Sequence, residues 1–359
     1  MDSSEILGLR LSNHHISSDA GLGPDEVVSK LGSMQAQDYF SALWAIGLRS
    51  REGTCIQDVE KAVEDRWIVR TWLNRGTVHF SNASDTKWML DLFSAGLSKI
   101  ASKRDTNLGL TEGLIKEVER VFVEALGFHE ILTRQQMYDV METTGVATRQ
   151  VNLGYHMLYR AAWDGLICFG PQKDRKQTFV RMDKWLPETE KPGREEALAE
   201  IALRYFSSHG PATLHDFAWW SGLKISESRK AIELNSRTLS MEETDSSEYF
   251  WLNKTANAFD NDRADLLPAF DEYLVGYSDR SAIFDGTSKE KVIHQNGTFR
   301  PVILLGGKVA GTWTAKKSGP AILVKTNLFV DVDSKEKDDI KETVQRYGDF
   351  LQSDVSIRL

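Results

Sequence analysis

Residues 113–181 constrain the fold more than any other stretch, because three helical patterns are followed there by one of paired strands. Leu114, Val118, Val121 and Phe122 recur on one helical face and predict a helix over residues 113–126. Thr133 suits the cap of a short helix over 134–141. After Thr143-Thr144-Gly145 a third helix is expected from 148 to 163. Asp164-Gly165-Leu166-Ile167 then opens a strand, residues 171–176 form a charged loop, and 177–181 return. Three helices and a hairpin in about 70 residues make the helix-turn-helix-plus-wing pattern.

The same layout recurs on both sides. Upstream, Gly23-Pro24 opens a helix whose apolar face is Val27, Val28, Leu31 and Met34. A helix over 57–67 runs into a β-branched and aromatic strand, 68–73, then a turn at Asn74-Arg75-Gly76 and a returning strand, 77–80. Ser84 and Asp85 suit the cap of a long helix carrying Trp88, Met89, Leu92, Phe93 and Leu97. Downstream of a linker at 187–193, helices are expected at 195–208, 214–220 and 225–234, followed by a strand at 248–252. Trp219-Trp220 belongs to the core of that unit. From Leu266 the texture changes to three strands, 299–305, 308–314 and 321–329, in a small antiparallel sheet, and a charged helix at 335–350. The expected fold is α+β. Three winged helix-turn-helix units occupy 1–110, 111–190 and 191–265, and a β-rich segment with a final helix occupies 266–359.

Composition narrows the function. Apolar content of 41% and charged content of 27% are those of a soluble globular protein. Cys55 and Cys168 lie far apart without metal-ligand spacing, which fits a reducing cytosol and argues against a disulfide framework or structural zinc. Residues 1–13 have neither the basic nor the apolar region of a signal peptide, and no run reaches the ~18 apolar residues of a membrane span. A cytoplasmic, nucleoid-associated protein is expected, with no membrane association. The net charge of −8 argues against nucleic-acid binding, but phosphate contacts need only a local basic face. Lys173, Arg175, Lys176, Arg181 and Lys184 stand against only Asp174 and Asp183 in 173–184. Arg149, Asn152, His156 and Arg160 fall within an arc of roughly 80° on the third helix. These residues are candidate DNA contacts, although a solvated helix face and a soluble loop would have the same composition.

The chemistry-bearing candidate is Met34-Gln35-Ala36-Gln37-Asp38, at the end of the helix opened by Pro24. If the turn runs extended, the amides of Gln35 and Gln37 project from one side, about 7 Å apart. Each amide offers one acceptor oxygen and two donor hydrogens, enough to hold a water and a polar substrate without charge. The plainer reading is a pair of solvent-facing glutamines.

Several stretches taken together resemble one family. They are Gln35-Ala36-Gln37, Arg70-Thr71-Trp72-Leu73-Asn74-Arg75-Gly76-Thr77-Val78-His79, His209-Gly210-Pro211-Ala212-Thr213 with Phe217-Ala218-Trp219-Trp220-Ser221-Gly222, and Leu267-Pro268-Ala269-Phe270-Asp271-Glu272-Tyr273. The resemblance is to the AlkZ/YcaQ-type tandem winged-helix DNA glycosylases and covers essentially the whole chain. It implies three winged units in a C-shaped, DNA-embracing arrangement and excision of bulky N7-alkylated purines, including the unhooking of interstrand crosslinks. The family signature is Gln-apolar-Gln in one branch and Gln-apolar-Asp in another. This chain matches the first, which places the catalytic role on Gln35 and Gln37, with Asp38 directly after the motif.

A monofunctional glycosylase acting on duplex DNA with alkylated or crosslinked purines is expected, without cofactor, metal or protein partner, and a multi-unit chain can grip DNA as a monomer. Arg75 and His79 on the first ribbon are candidate phosphate or sugar contacts, and a strand histidine can equally be structural. Asp271 and Glu272 read as structural carboxylates, caps or partners of Arg280. A non-catalytic winged-helix DNA binder, either a transcriptional regulator or a binder of alkylated DNA, fits the same fold, since fold does not fix function. A metal-dependent nuclease is disfavoured because no compact Asp/Glu/His cluster has ligand spacing.

Overall fold

Residues 1–16, 21–146, 152–244, 247–252, 263–319 and 321–359 are described by the computed structural model. They form a mixed α+β chain that falls into two units. The first is discontinuous, made of Met1–Val59, Leu198–Trp220 and Lys224–Leu359. Glu60–Ala197 and Ser221–Leu223 form the second.

In the second unit the two ribbons expected in separate winged units share one sheet. Ile68–Trp72 pairs with Val78–Asn82, and Ile167–Lys173 pairs with Lys176–Arg181, all antiparallel. The ribbons join where Arg70 faces Phe169, and the Arg70 guanidinium lies 4.6 Å from the Phe169 ring centre. All five residues of Ile68–Trp72 are buried, as befits a strand with a neighbour on either side. Leu132–Thr133 closes the far edge against Lys176–Arg181. Around this sheet stand the helices Thr86–Asn107, Glu112–Phe128, Arg134–Glu142 and Leu153–Trp163. Thr133 caps the third of these, with Gln136 reaching back to its backbone N–H at 2.8 Å. The expected start of the last helix, 148–151, lies outside the described residues.

The first unit contains a five-stranded sheet in the order Ala264–Leu267, Val302–Leu305, Lys308–Ser318, Ala321–Leu328 and Val355–Arg358. The sequence suggested an antiparallel sheet. The sheet is mixed instead, because Val355–Arg358 pairs parallel with Ala321–Leu328. A parallel pair needs a crossover, and the Ser334–Phe350 helix supplies it. Its aromatic side packs against a helix absent from the sequence reading, Tyr39–Gly47. The Trp44 ring lies 5.1 Å from both Tyr347 and Phe350, and Trp313 lies 5.0 Å from Tyr347. Trp44 and Trp313 donate their indole N–H groups to the carbonyls of Leu266 and Leu267, so these large rings are buried without a stranded donor. A smaller sheet joins Ala212–Thr213, Glu248–Leu252 and Leu239–Glu243. Trp220 is fully buried as expected, whereas Trp219 is 47% exposed.

Candidate active site

Gln35 and Gln37 are set in place by the elements on either side of them. Pro24–Leu31 begins with proline at its first turn, and the Glu26 carboxylate accepts the Gly23 N–H at 2.7 Å. Val27, Val28 and Leu31 are buried, and the helix stops at Gly32, whose φ of 79° favours glycine. The chain then extends through Ser33–Gln35. Met34 and Ala36 are buried, Gln35 is half-buried at the end of the strand, and Gln37 is exposed in the bend that follows. Among the described residues neither side-chain amide is held by a hydrogen bond. Asp38 has a different task. Its Oδ1 accepts the Ser41 N–H at 2.8 Å and caps Tyr39–Gly47, which leaves Gln35 and Gln37 as the polar pair of the motif.

The backbone beneath the pair is braced by the turn at Asp271-Glu272. Glu272 is 1% exposed, and its Oε1 accepts the Gln35 backbone N–H at 2.6 Å. Its Oε2 accepts the Trp220 indole N–H at 3.1 Å and lies 3.5 Å from His209 Nε2. Asp271 caps the short Glu272–Val275 helix through the Tyr273 N–H. Its partner is Arg49, not Arg280: Nη1 and Nη2 of Arg49 reach its two oxygens at 2.9 and 2.7 Å. Arg280 instead donates to the carbonyls of Leu274 and Ser278.

Two histidines line the interior behind Glu272. His14 Nε2 lies 2.9 Å from the Tyr277 hydroxyl, which donates to the His209 carbonyl. Burial holds His14 well below the ordinary histidine range, helped by His209, Arg49 and Arg10. Burial also lowers His209, against the opposing pull of Glu272. The sequence reading assigned neither of them a role.

The candidate DNA contacts separate by exposure. Lys173, Arg175 and Lys176 are exposed on the Ile167–Lys173/Lys176–Arg181 hairpin. Asp174 and Arg175 both have positive φ, 51° and 59°, the backbone of a tight two-residue hairpin turn that carries the cations at its tip. Asn152 is exposed ahead of Leu153–Trp163, and Arg149 lies outside the described residues. His156, expected on the same outward arc, is fully buried with Nε2 2.6 Å from Asp105 Oδ1. Arg160 is turned towards Asp105 and Asp164 at 3.7 and 3.5 Å. His156 and Arg160 are therefore turned towards Asp105 on Thr86–Asn107 rather than outward. His79 is also fully buried, with Nδ1 2.9 Å from the Thr77 carbonyl, while Arg75 is half-buried at φ 56° beside Gly222. Arg75 and His79 belong to the second unit, whereas Gln35 and Gln37 belong to the first.

Among the described residues no group of His, Cys, Asp and Glu is arranged to hold a metal ion, and no helix is long and apolar enough to cross a membrane. Gln35, at the end of a braced strand, and Gln37, just beyond it, are two unengaged amides able to hydrogen-bond a polar group. The chain belongs to the family of AlkZ-like DNA glycosylases, which it matches over residues 28–350. It is 24% identical over 330 residues to an interstrand DNA cross-link repair glycosylase of Streptomyces sahachiroi, covering 86% of each chain. The solved structure of the Streptomyces sahachiroi DNA glycosylase AlkZ has the same fold, with a TM-score of 0.79 and 21% identity over the whole of both chains.

Proposed function

We propose that this protein hydrolyses the N-glycosidic bond of N7-alkylated purines in duplex DNA, with Gln35 and Gln37 as its catalytic residues, and that crosslinked purines are among its substrates. The observation that carries the reading is the pair of unengaged amides, Gln35 at the end of a braced strand and Gln37 exposed just beyond it. Family membership and the activity named for the Streptomyces relative support the reaction class.

The chemistry suits neutral groups. Breaking the bond builds positive charge on the sugar, and a normal guanine leaves poorly without an acid. Alkylation at N7 already makes the base cationic, so no acid is needed to release it. What remains is to position a water and to set oxygen acceptors against the developing cation. Gln37, the more exposed amide, holds the water, and Gln35 supports it or faces the sugar. Amides do not titrate near neutrality and form no imine with the abasic sugar. The chemical step is therefore flat with pH, and the enzyme is monofunctional. Undamaged purines stay in place because nothing in the motif activates an uncharged leaving group.

The winged-unit organisation, with boundaries 1–110, 111–190, 191–265 and 266–359, is part of this proposal. It is supported by the repeated succession of helices and hairpin in Glu112–Arg181 and in Arg194–Leu252. Within it, Lys173, Arg175 and Lys176 contact phosphates, and a single chain acts in the cytoplasm without a protein partner.

The test is base release from a duplex carrying one N7-alkylguanine, read as strand breakage after mild alkali. Removing one positioning amide, by Gln35→Ala or Gln37→Ala, is expected to lower the single-turnover rate by about 10²–10³-fold while DNA affinity is kept. Tight lesion binding without release by the wild type would make the protein a binder and leave the glutamines as surface.

A further inference from the structure

We propose that Glu272 is a positioning residue for this reaction, acting through the backbone of Gln35. The inference rests on the glycosylase reading above and extends it to a residue that touches no substrate. Glu272 comes from a turn 237 residues away in sequence, yet one of its oxygens lies 2.6 Å from the Gln35 nitrogen. A carboxylate that is 1% exposed is costly unless hydrogen-bonded, and the geometry shows what it is used for. One oxygen holds the motif strand, and the other is held by the Trp220 indole, with the His209 ring beside it. The carboxylate is thus fixed at both ends, and its bond to Gln35 is short and charge-assisted.

This matters because Ser33–Gln35 is only three residues long and follows a glycine that ends a helix. Glu272 holds the backbone N–H of the strand's last residue, Gln35, and so helps to set where that side chain emerges. The second carboxylate of the same turn, Asp271, fixes Arg49 just beyond the far end of Tyr39–Gly47, so the motif and the helix after it share one turn as their reference. A displacement of about 1 Å in a reacting group can cost 10²-fold in rate. Loosening Gln35 should therefore act on kcat rather than on DNA binding.

The experiment measures kcat and KM for base release, together with amide hydrogen exchange of the peptide spanning residues 33–38. The variants are Glu272→Leu, Glu272→Gln, Trp220→Phe and Gln35→Ala. Glu272→Leu is expected to lower kcat by at least 10-fold with KM within two-fold, and to speed exchange at Gln35. Glu272→Gln keeps an oxygen for the Gln35 N–H and should recover kcat to within about three-fold of wild type. If Glu272→Leu fails to fold, Trp220→Phe decides. It removes the indole donor to the second oxygen while keeping an aromatic ring, and is expected to lower kcat several-fold with the same unchanged KM. Wild-type release that is lost in Gln35→Ala but retained in Glu272→Leu, or in Trp220→Phe where that variant decides, would overturn this inference alone. So would a rise in KM that accounts for the whole loss. No release by the wild type would overturn the glycosylase reading, and this inference with it.

Discussion

Replacing Arg49 by methionine tests whether the buried ion pair with Asp271 holds the first unit together. Both side chains are 0% exposed, and Arg49 makes three hydrogen bonds, two to the carboxylate and one to the Ala45 carbonyl at 2.8 Å. Methionine keeps most of the apolar stem and removes the charge. Asp271 would then be a buried carboxylate holding only the Tyr273 N–H at 2.9 Å. Breaking a buried pair in this way costs about 3–5 kcal/mol. With a urea m-value of about 2 kcal/mol/M, the midpoint should fall by roughly 1.5–2.5 M. Adding Asp271→Asn neutralises the stranded charge, so the double variant should be more stable than Arg49→Met alone. The coupling energy should be about 2–3 kcal/mol. Urea unfolding followed by tryptophan fluorescence, with Trp44 and Trp220 reporting from the same unit, gives all four corners of the cycle. A loss below about 1 kcal/mol in Arg49→Met, or strict additivity of the two single changes, would refute the reasoning.

Three more outcomes are expected. Burial and the facing Asp164 carboxyl push Glu119 up from 4.5 to about 8, so the folded chain keeps this proton over a range in which the unfolded chain has lost it. Its contribution to stability therefore declines as pH rises from about 4.5 to 8, and Glu119→Gln should raise Tm at pH 8.5 but little at pH 5. Gly47→Ala would add a Cβ overlapping the Phe350 ring. The helix-propensity gain of up to ~1 kcal/mol is smaller than an overpacking cost of about 1–3 kcal/mol, so a lower Tm is expected, and a higher one would count against the packing argument. Changing Lys173, Arg175 and Lys176 together to glutamine should reduce the slope of log K against log salt for duplex DNA by up to ~3, whatever the sequence, and an unchanged slope would remove the hairpin from the interface.

Much of the fold was legible where apolar residues recur on one face. Residues 113–126, 134–141 and 225–234, and both long hairpins, come within a few positions of the observed elements. Tyr39–Gly47 was not, because a helix buried nearly all round carries no periodic contrast. Ser3–Asn13 was missed although its signal was present: Asp2 and Glu5 form a capping box at the spacing expected of one. The strand Val355–Arg358 alternates too briefly to stand out, and only pairing reveals it. At the site, the sequence marked the amides of Gln35, which ends the Ser33–Gln35 strand, and Gln37, in the bend after it, but not the brace beneath Gln35. Glu272 looks like any turn carboxylate until the chain brings it under Gln35. His156 and Arg160 read as outward-facing for a related reason. A polar face that meets Asp105 on a neighbouring helix is indistinguishable in sequence from one that meets water.

The split of the first unit across the chain has a consequence for synthesis. On the ribosome, Glu60–Ala197 can fold once it emerges, since only Ser221–Leu223 is added to it later. The brace of Gln35 must wait for Glu272, 237 residues later, and the cover of Trp44 for Leu266 and Phe350. At 5–20 residues per second the delay is roughly 10–50 s. Throughout it, Trp44 has no Leu266 or Phe350 to cover it. A nascent chain of this protein is thus expected to hold out a greasy amino-terminal segment, a natural client for a holding chaperone, and to gain the Glu272 brace under Gln35 only as its last third is made.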